Sequence, residues 1–216
     1  MRPVFLCLAC LVAGPVLACD HPVCEVDPGM LALARVITFD DQRAGMGPGM
    51  EHREVLALPG ARFGEHFMGQ RRWAEGDFDR VDGPGLAPLM LLPGPPGELF
   101  SIHRLGRSNV INGFGPAGFP RDNAQGEGAL AVLFDEDQAA LGFDVLGGED
   151  GAAFLVFLAR DGRVIDSLRL DGLREREFAF RRSSGDADIA GFVLTNDDPQ
   201  GIAIDNLRFG QVPQLG

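Results

Sequence analysis

The sequence predicts an all-β fold: a two-sheet antiparallel sandwich, jelly-roll-like, with its first and last strands adjacent. Three observations predict it. Short runs rich in Val, Ile, Leu and Phe recur with alternating apolar and polar positions, the pattern of half-buried strands. Clusters of Gly, Pro, Asp and Asn punctuate them at spacings near the ~8–12 residues of sandwiches. No stretch sustains the 3.6-residue period over a helix of ordinary length.

The elements follow in order. Residues 1–18, MRPVFLCLACLVAGPVLA, join one arginine to an apolar run that closes on compact residues, the form of a cleaved export signal. The run is short of the ~20 residues a membrane span needs. A secreted or periplasmic protein with no transmembrane segment is therefore expected. Residues 19–34 form a leader carrying Cys19 and Cys24, for which two readings stand. An oxidising compartment closes a disulfide between them, or Val16-Leu17-Ala18-Cys19 acts as a lipobox and anchors a lipoprotein through Cys19.

One sandwich domain, residues 35–210, comes next. It opens with RVITF (35–39), rich in β-branched and aromatic residues. REVLALP and ARFGEHFM follow on either side of Pro59-Gly60, a turn signal. From Gly69 to Gly126 prolines such as Pro84, Pro93 and Pro116 forbid long helices, and long loops with short strands (PLMLL, ELFSIHR) are expected. ALAVLF (129–134) and ALGFDVL (140–146) flank FDEDQ as a hairpin. AAFLVFLA (152–159) and RVIDSLRL (163–170) form another around Asp161-Gly162, a pair suited to a tight turn. REREFAF, ADIAGFVLT and GIAIDNLRF complete the set, and residues 211–216 are a tail. The 16 phenylalanines, Phe154 and Phe178 among them, are expected to fill the intersheet core.

With 19 basic residues, all arginine, against 31 acidic ones, the formal charge is −12. Such a surface repels phosphates and anionic headgroups, which excludes nucleic acid as a partner. The spacing of GFGPAG (113–118) matches a dinucleotide loop, but Pro116 lies inside it and no helix follows to present its amides. His21, His52, His66 and His103 show no zinc spacing. No G-x-S-x-G elbow occurs, and Ser101 and His103, two apart on one strand, are a weak pair. Acids such as Glu65, Glu98 and Asp144 are too plentiful to single out two for glycoside hydrolysis.

Two acidic positions stand out by context. Asp40 and Asp41 close the first strand, and Asp205 with Asn206 interrupts the last. If the chain ends lie side by side, Asp40 and Asp205 converge, and their oxygens begin the shell of roughly 6–8 that calcium requires. An inward Asp205 needs a cation, an arginine or several N–H donors; otherwise it faces solvent and Asn206 begins a bulge. TNDDPQG (195–201) reads first as a turn.

ITFDD, GFDV, FLVFLARDGRVIDS and ADIAGFVLTNDDPQGIAIDNLRF together resemble secreted bacterial jelly-roll domains of the carbohydrate-binding-module and concanavalin-like kind. They are also similar to the MAM adhesion domain, whose multiple cysteines this chain lacks. The resemblance covers 35–39 and 128–209 and leaves 70–126 unmatched. It implies a structural cation, with Asp40 in the place of the first-strand acid and Asp205 in that of the last-strand aspartate. A sugar platform in such modules exposes Trp or Tyr. The chain has no tyrosine and one tryptophan, Trp73, in the polar stretch QRRWAEGDFDR. Trp73 is either the binding residue or, as is common in sandwiches, part of the core. The expectation is an exported, non-catalytic binding or surface-structural module with a structural Ca²⁺ and a glycan or cell-envelope partner. The alternative is a secreted polysaccharide hydrolase or lyase on the same scaffold.

Overall fold

Alternating side chains commit one face of each long strand to the interior, and two sheets close over that face. The computed structural model describes residues 19–211; the segment expected to be an export signal (1–18) and tail residues 212–216 lie outside the described residues. The first half of the chain contributes β1 (Val23–Val26), β2 (Leu33–Ile37), β3 (Met50–His52), β4 (Leu56–Leu58), β5 (Ala61–Gly64), β6 (His66–Phe67), β7 (Arg71–Glu75), β8 (Phe78–Asp82) and β9 (Leu91–Leu92). The second adds β10 (Phe100–Leu105), β11 (Ser108–Phe114), β12 (Gln125–Gly128), β13 (Leu130–Gln138), β14 (Ala140–Gly147), β15 (Ala153–Leu158), β16 (Val164–Leu170), β17 (Arg176–Arg182), β18 (Ile189–Asn196) and β19 (Ile202–Gln211). Two single-turn 3-10 segments, Pro28–Met30 and Asp122–Ala124, are the helical elements among the described residues. No described helix is long and apolar enough to cross a membrane.

A nine-stranded antiparallel sheet runs β1-β17-β14-β19-β11-β10-β3, with β12 on β11 and β2 on β19. It faces a six-stranded sheet, β16-β15-β18-β13-β5-β4. Between them lies the main core of Phe39, Phe63, Phe134, Phe143, Phe157, Phe178, Phe180, Phe192 and Phe209 with Leu, Ile and Val neighbours. The expected pairing of RVITF with the last strand holds, β2 lying on β19 with Ile37 opposite Leu207 and Arg35 opposite Phe209. The leader 19–34, however, is not outside the sandwich: it contributes an earlier strand, β1, which pairs with β17.

A second, smaller core covers the outer face of the six-stranded sheet. Phe67, Val81 and Leu89 pack there on Ala131, Leu133, Ala190 and Val193. The lids over it are two separate two-stranded ribbons, β6-β9 and β7-β8. β13 is thus buried on both sides, with Val132 and Phe134 in one core and Ala131 and Leu133 in the other.

Three further sequence expectations need correction. β13 and β14 do not form a hairpin: β13 pairs with β5 and β18, and β14 with β17 and β19. Each strand already has two partners, so FDEDQ crosses between sheets. Phe154 is not an intersheet residue. Period 2 places Ala153, Leu155 and Phe157 inward and leaves Phe154 half-buried on the outer face. The segment 70–126 also holds more strand than its prolines suggested, including the six-membered pairing of β10 with β11. By contrast, the Asp161-Gly162 and Pro59-Gly60 hairpins form as expected, with Gly162 and Gly60 at φ 84° and 97°.

Candidate functional site

The seam between the first and last strands is irregular at the predicted acids. Asn206 adopts φ 48° and Phe39, buried two residues beyond β2, φ 58°, a region uncommon for residues other than glycine. Opposite Asn206 the β14–β19 register slips, from Gly142 against Arg208 to Asp144 against Asp205. This is a β-bulge, which re-aims the side chains beside it. Ile204 and Leu207 point into the core, and Asp205 lies on the outer face.

Asp205 is only 5% exposed. Its Oδ1 accepts the Asn206 N–H at 2.6 Å, and no other hydrogen bond or arginine contact reaches it among the described residues. Arg208 is spent elsewhere, donating to Asp144 at 2.7 Å and lying 3.1 Å from Glu177. Burial pushes the Asp205 carboxyl up to about 6 against the Asn206 hydrogen bond and the charge of Arg208, and the charges of Asp40 and Asp144 add to the rise. Asp40 is therefore near enough to be felt. Its Oδ1 accepts the Asn109 N–H at 2.9 Å, and its side chain is otherwise exposed. A buried carboxylate with one donor is the kind of group a hard cation satisfies, but among the described residues the seam acids do not bring three ligand oxygens within reach of one ion.

The acids of TNDDPQG are committed to turn geometry. Asp197 accepts from Ala152 N, and Asp198 from Asp150 N and Gln200 N. Ser101 is fully buried and donates to Pro48 O at 2.6 Å, so it is no nucleophile for His103, which bonds Asn112 instead. Cys19 and Cys24 stand at disulfide distance, 2.12 Å between sulfurs.

A second acidic cluster escaped the sequence. QRRWAEGDFDR is not a loop but the ribbon β7-β8, with Arg72 opposite Val81 and Trp73 opposite Arg80. Its inner face carries Arg72 and Asp79 toward Glu65 and Glu98. Arg72 Nε stands 2.5 Å from Glu65 Oε1 and Nη2 2.8 Å from Asp79 Oδ1, and Arg72 also bonds Glu98. The Glu65 and Asp79 contacts are not aligned as hydrogen bonds, so charge alone holds them. The three carboxylates offer oxygens within 4.8 Å of one another, and the guanidinium stands where a metal would. The only local signal was Gly76-Asp77, a two-residue hairpin turn between alternating runs.

The outer face of the same ribbon carries Trp73, which is 37% exposed and so not a core residue. Arg71 covers one side of its ring at 4.6 Å. Trp73, Glu75, Arg80, Phe154 and Thr195 line a groove of about 260 Å³ between the ribbon and the six-stranded sheet. Arg80 forms its wall, lying over Phe78 and Phe154 and donating to Asn196 O at 2.6 Å.

On the opposite side of the molecule, the nine-stranded sheet bears a trough in two parts that meet at Leu146. One part, about 410 Å³, is lined by His103, Asn112, Gln125 and Gln200; the other, about 300 Å³, by Asp144, Glu175, Glu177 and Asp205. Neither a phenylalanine nor the tryptophan lines either part among the described residues.

No family model matches the chain, and no curated protein matches it. Among solved structures, 52% of the chain is similar to 18% of the enzymatically active domain of bacteriophage CBA120 tailspike protein 4, at 16% identity and a TM-score of 0.31. The chain thus spans less than a fifth of that protein, a likeness too slight to bear on function.

Proposed function

We propose that this is an exported, non-catalytic binding or surface-structural module that receives a glycan or another cell-envelope component beside Trp73. The single observation that carries this reading is the exposure of the chain's one tryptophan in a groove that pairs apolar Phe154 and Val81 with the hydrogen-bonding side chains of Glu75, Arg80 and Thr195. A flat apolar ring flanked by polar groups suits a pyranose, whose faces are apolar and whose rim is hydroxylated. Glu75, Arg80 and Thr195 supply donors and acceptors for that rim.

Calcium completes the proposal. Asp205 and Asp40 would hold it, and it supplies a hard positive charge that offsets the carboxylates gathered at the β2–β19 seam. The ion is structural, tying the first strand to the last. The test is binding on a glycan array with no release of reducing sugar, both measured on wild type and on Trp73→Ala. Loss of array signal in the variant supports the reading; undiminished binding without the ring sinks it.

A second reading, a polysaccharide hydrolase, is favoured by the placement of Asp144 directly opposite Asp205 at one end of the trough. Two carboxyl groups facing one groove are what glycoside hydrolysis needs. Turnover that vanishes in Asp205→Asn and survives in Trp73→Ala would favour it.

A further inference from the structure

We propose that Glu65, Asp79 and Glu98, gathered on Arg72, form a proton-operated latch that holds the β7-β8 ribbon, and with it the Trp73 groove, in its seated form. The inference rests on the reading of that groove as the ligand site and assigns its regulation.

The charge count comes first. Three carboxylates share one guanidinium, and Glu65 and Asp79 are fully buried. The other charged or titratable neighbours are His66 on β6, whose Nδ1 donates to Glu65 Oε2 across 2.8 Å, and, at the ribbon's turn, buried Glu127 of β12, whose carboxyl is pushed up to about 7 by burial and the charge of Asp77. Arg72 and Asp79 come from the ribbon, Glu65 from the chain between β5 and β6, and Glu98 from the segment before β10. Ala129, ahead of β13, adds a long N–H contact of 3.4 Å to Asp79. One guanidinium cannot balance three buried or half-buried anions, so the cluster favours a proton. That proton falls on Asp79, whose carboxyl is pushed up to about 7 by burial, against the pull of Arg72 and with the charges of Glu65 and Glu98 adding to the rise.

The geometry decides what yields when the proton leaves. Glu65 cannot retreat: Gly94 packs so closely over its carboxylate that a Cβ there would lie 2.6–2.7 Å from it. The ribbon can. It shares no backbone ladder with either large sheet, and its seat is a small core to which it contributes Val81. Arg72 adjoins Trp73 in sequence, and Asp79 adjoins Arg80. Repulsion between Asp79 and Glu65 therefore acts on the residues next to both groove walls. Below pH 7 the ribbon is seated; above it the ribbon lifts and the groove loses its shape.

The chain's single tryptophan and lack of tyrosine make intrinsic fluorescence a reporter of this ribbon alone. Ligand-free wild type, titrated from pH 5 to 9, is expected to show one emission change centred near pH 7. Asp79→Asn should hold the acid-side emission throughout, and Glu98→Gln, at a more exposed position, should lower the midpoint. His66→Gln should leave the transition in place. Flat wild-type emission, or a transition that survives Asp79→Asn, overturns the latch. These readings need no ligand, so the latch can fail while the groove stands. Where an array-selected oligosaccharide binds in a Trp73-dependent manner, its affinity should fall on the order of fivefold or more between pH 6 and 8, and saturating oligosaccharide should raise the fluorescence midpoint correspondingly. Equal affinity at the two pH values also overturns the latch, whereas absence of any saccharide binding overturns only the groove.

Discussion

The molecule gathers carboxylates in two places and treats them differently. Beneath the β7-β8 ribbon, Glu65, Asp79 and Glu98 surround a cation that the chain itself supplies, Arg72. At the β2–β19 seam, Asp205 is nearly as deeply buried, yet the nearby arginine, Arg208, is held by Asp144 and Glu177. A guanidinium among its carboxylates fills the site with the chain's own cation and closes it to other ions. A carboxylate left with one backbone donor keeps the site open to an ion from solution.

The largest effect should come from removing the internal cation. Arg72→Met leaves buried carboxylates uncompensated and is expected to cost about 3–5 kcal/mol in urea unfolding at pH 7; a loss below 1 kcal/mol would mean that the cluster is neutral without its arginine. Next comes the external cation. Calcium at a hundredfold excess over its dissociation constant should add about 2.7 kcal/mol to wild type and nothing to Asp205→Asn, read as a chelator-sensitive shift in Tm. Because the ion takes the ionised Asp205, whose carboxyl sits at about 6, this increment should fade as pH falls through 6. A chelator-insensitive melt would mark the seam as an ordinary structural acid.

Smaller effects follow from protons and from the surface. Asp79 has its carboxyl raised from 3.8 to about 7 on folding. The folded chain therefore binds more protons than the unfolded one between those values, and its stability falls as pH rises from about 4 to 7 and then levels. Asp79→Asn should consequently stabilise at pH 8 by on the order of 2 kcal/mol and show no gain at pH 4; equal effects at both would contradict the assignment. Trp73→Ala, removing a ring that touches solvent and Arg71, should cost about 1 kcal/mol or less in thermal unfolding. A larger cost would show that the ring is scaffolding for the ribbon.

The seam was more legible than the ribbon, for a physical reason. IAIDNLRF breaks a strand pattern with a carboxylate, and an interruption in a regular signal is visible in one segment read alone. Its partner was found because sandwich topology brings the chain ends together, and β2 does pair with β19. The Arg72 cluster draws its members from four segments with no common period, and RRWAEGDFDR alternates charges where strands usually show apolar residues. β11 was hidden in the same way. SNVINGF carries Asn109 and Asn112 at buried positions, where Asn109 bonds the carbonyls of Phe39, Asp40 and Gln42 rather than adding apolar signal. The ALAVLF–ALGFDVL misreading is of another kind. Each segment carries its own strand signal, but adjacency in sequence does not dictate adjacency in a sheet, and β5 and β18 occupy both edges of β13.

The pairing of Ile37 with Leu207 closes a loop that spans nearly the whole described chain. Closing so long a loop costs entropy before any contact offsets it, and such remote pairings slow the folding of β proteins. β19 pairs with β14 and β11 as well as with β2, so β2 gains its backbone partner only once this central strand is in place. An ion at Asp205 would act once that pairing has formed, as a clasp that slows reopening of the seam more than it speeds the assembly that precedes it.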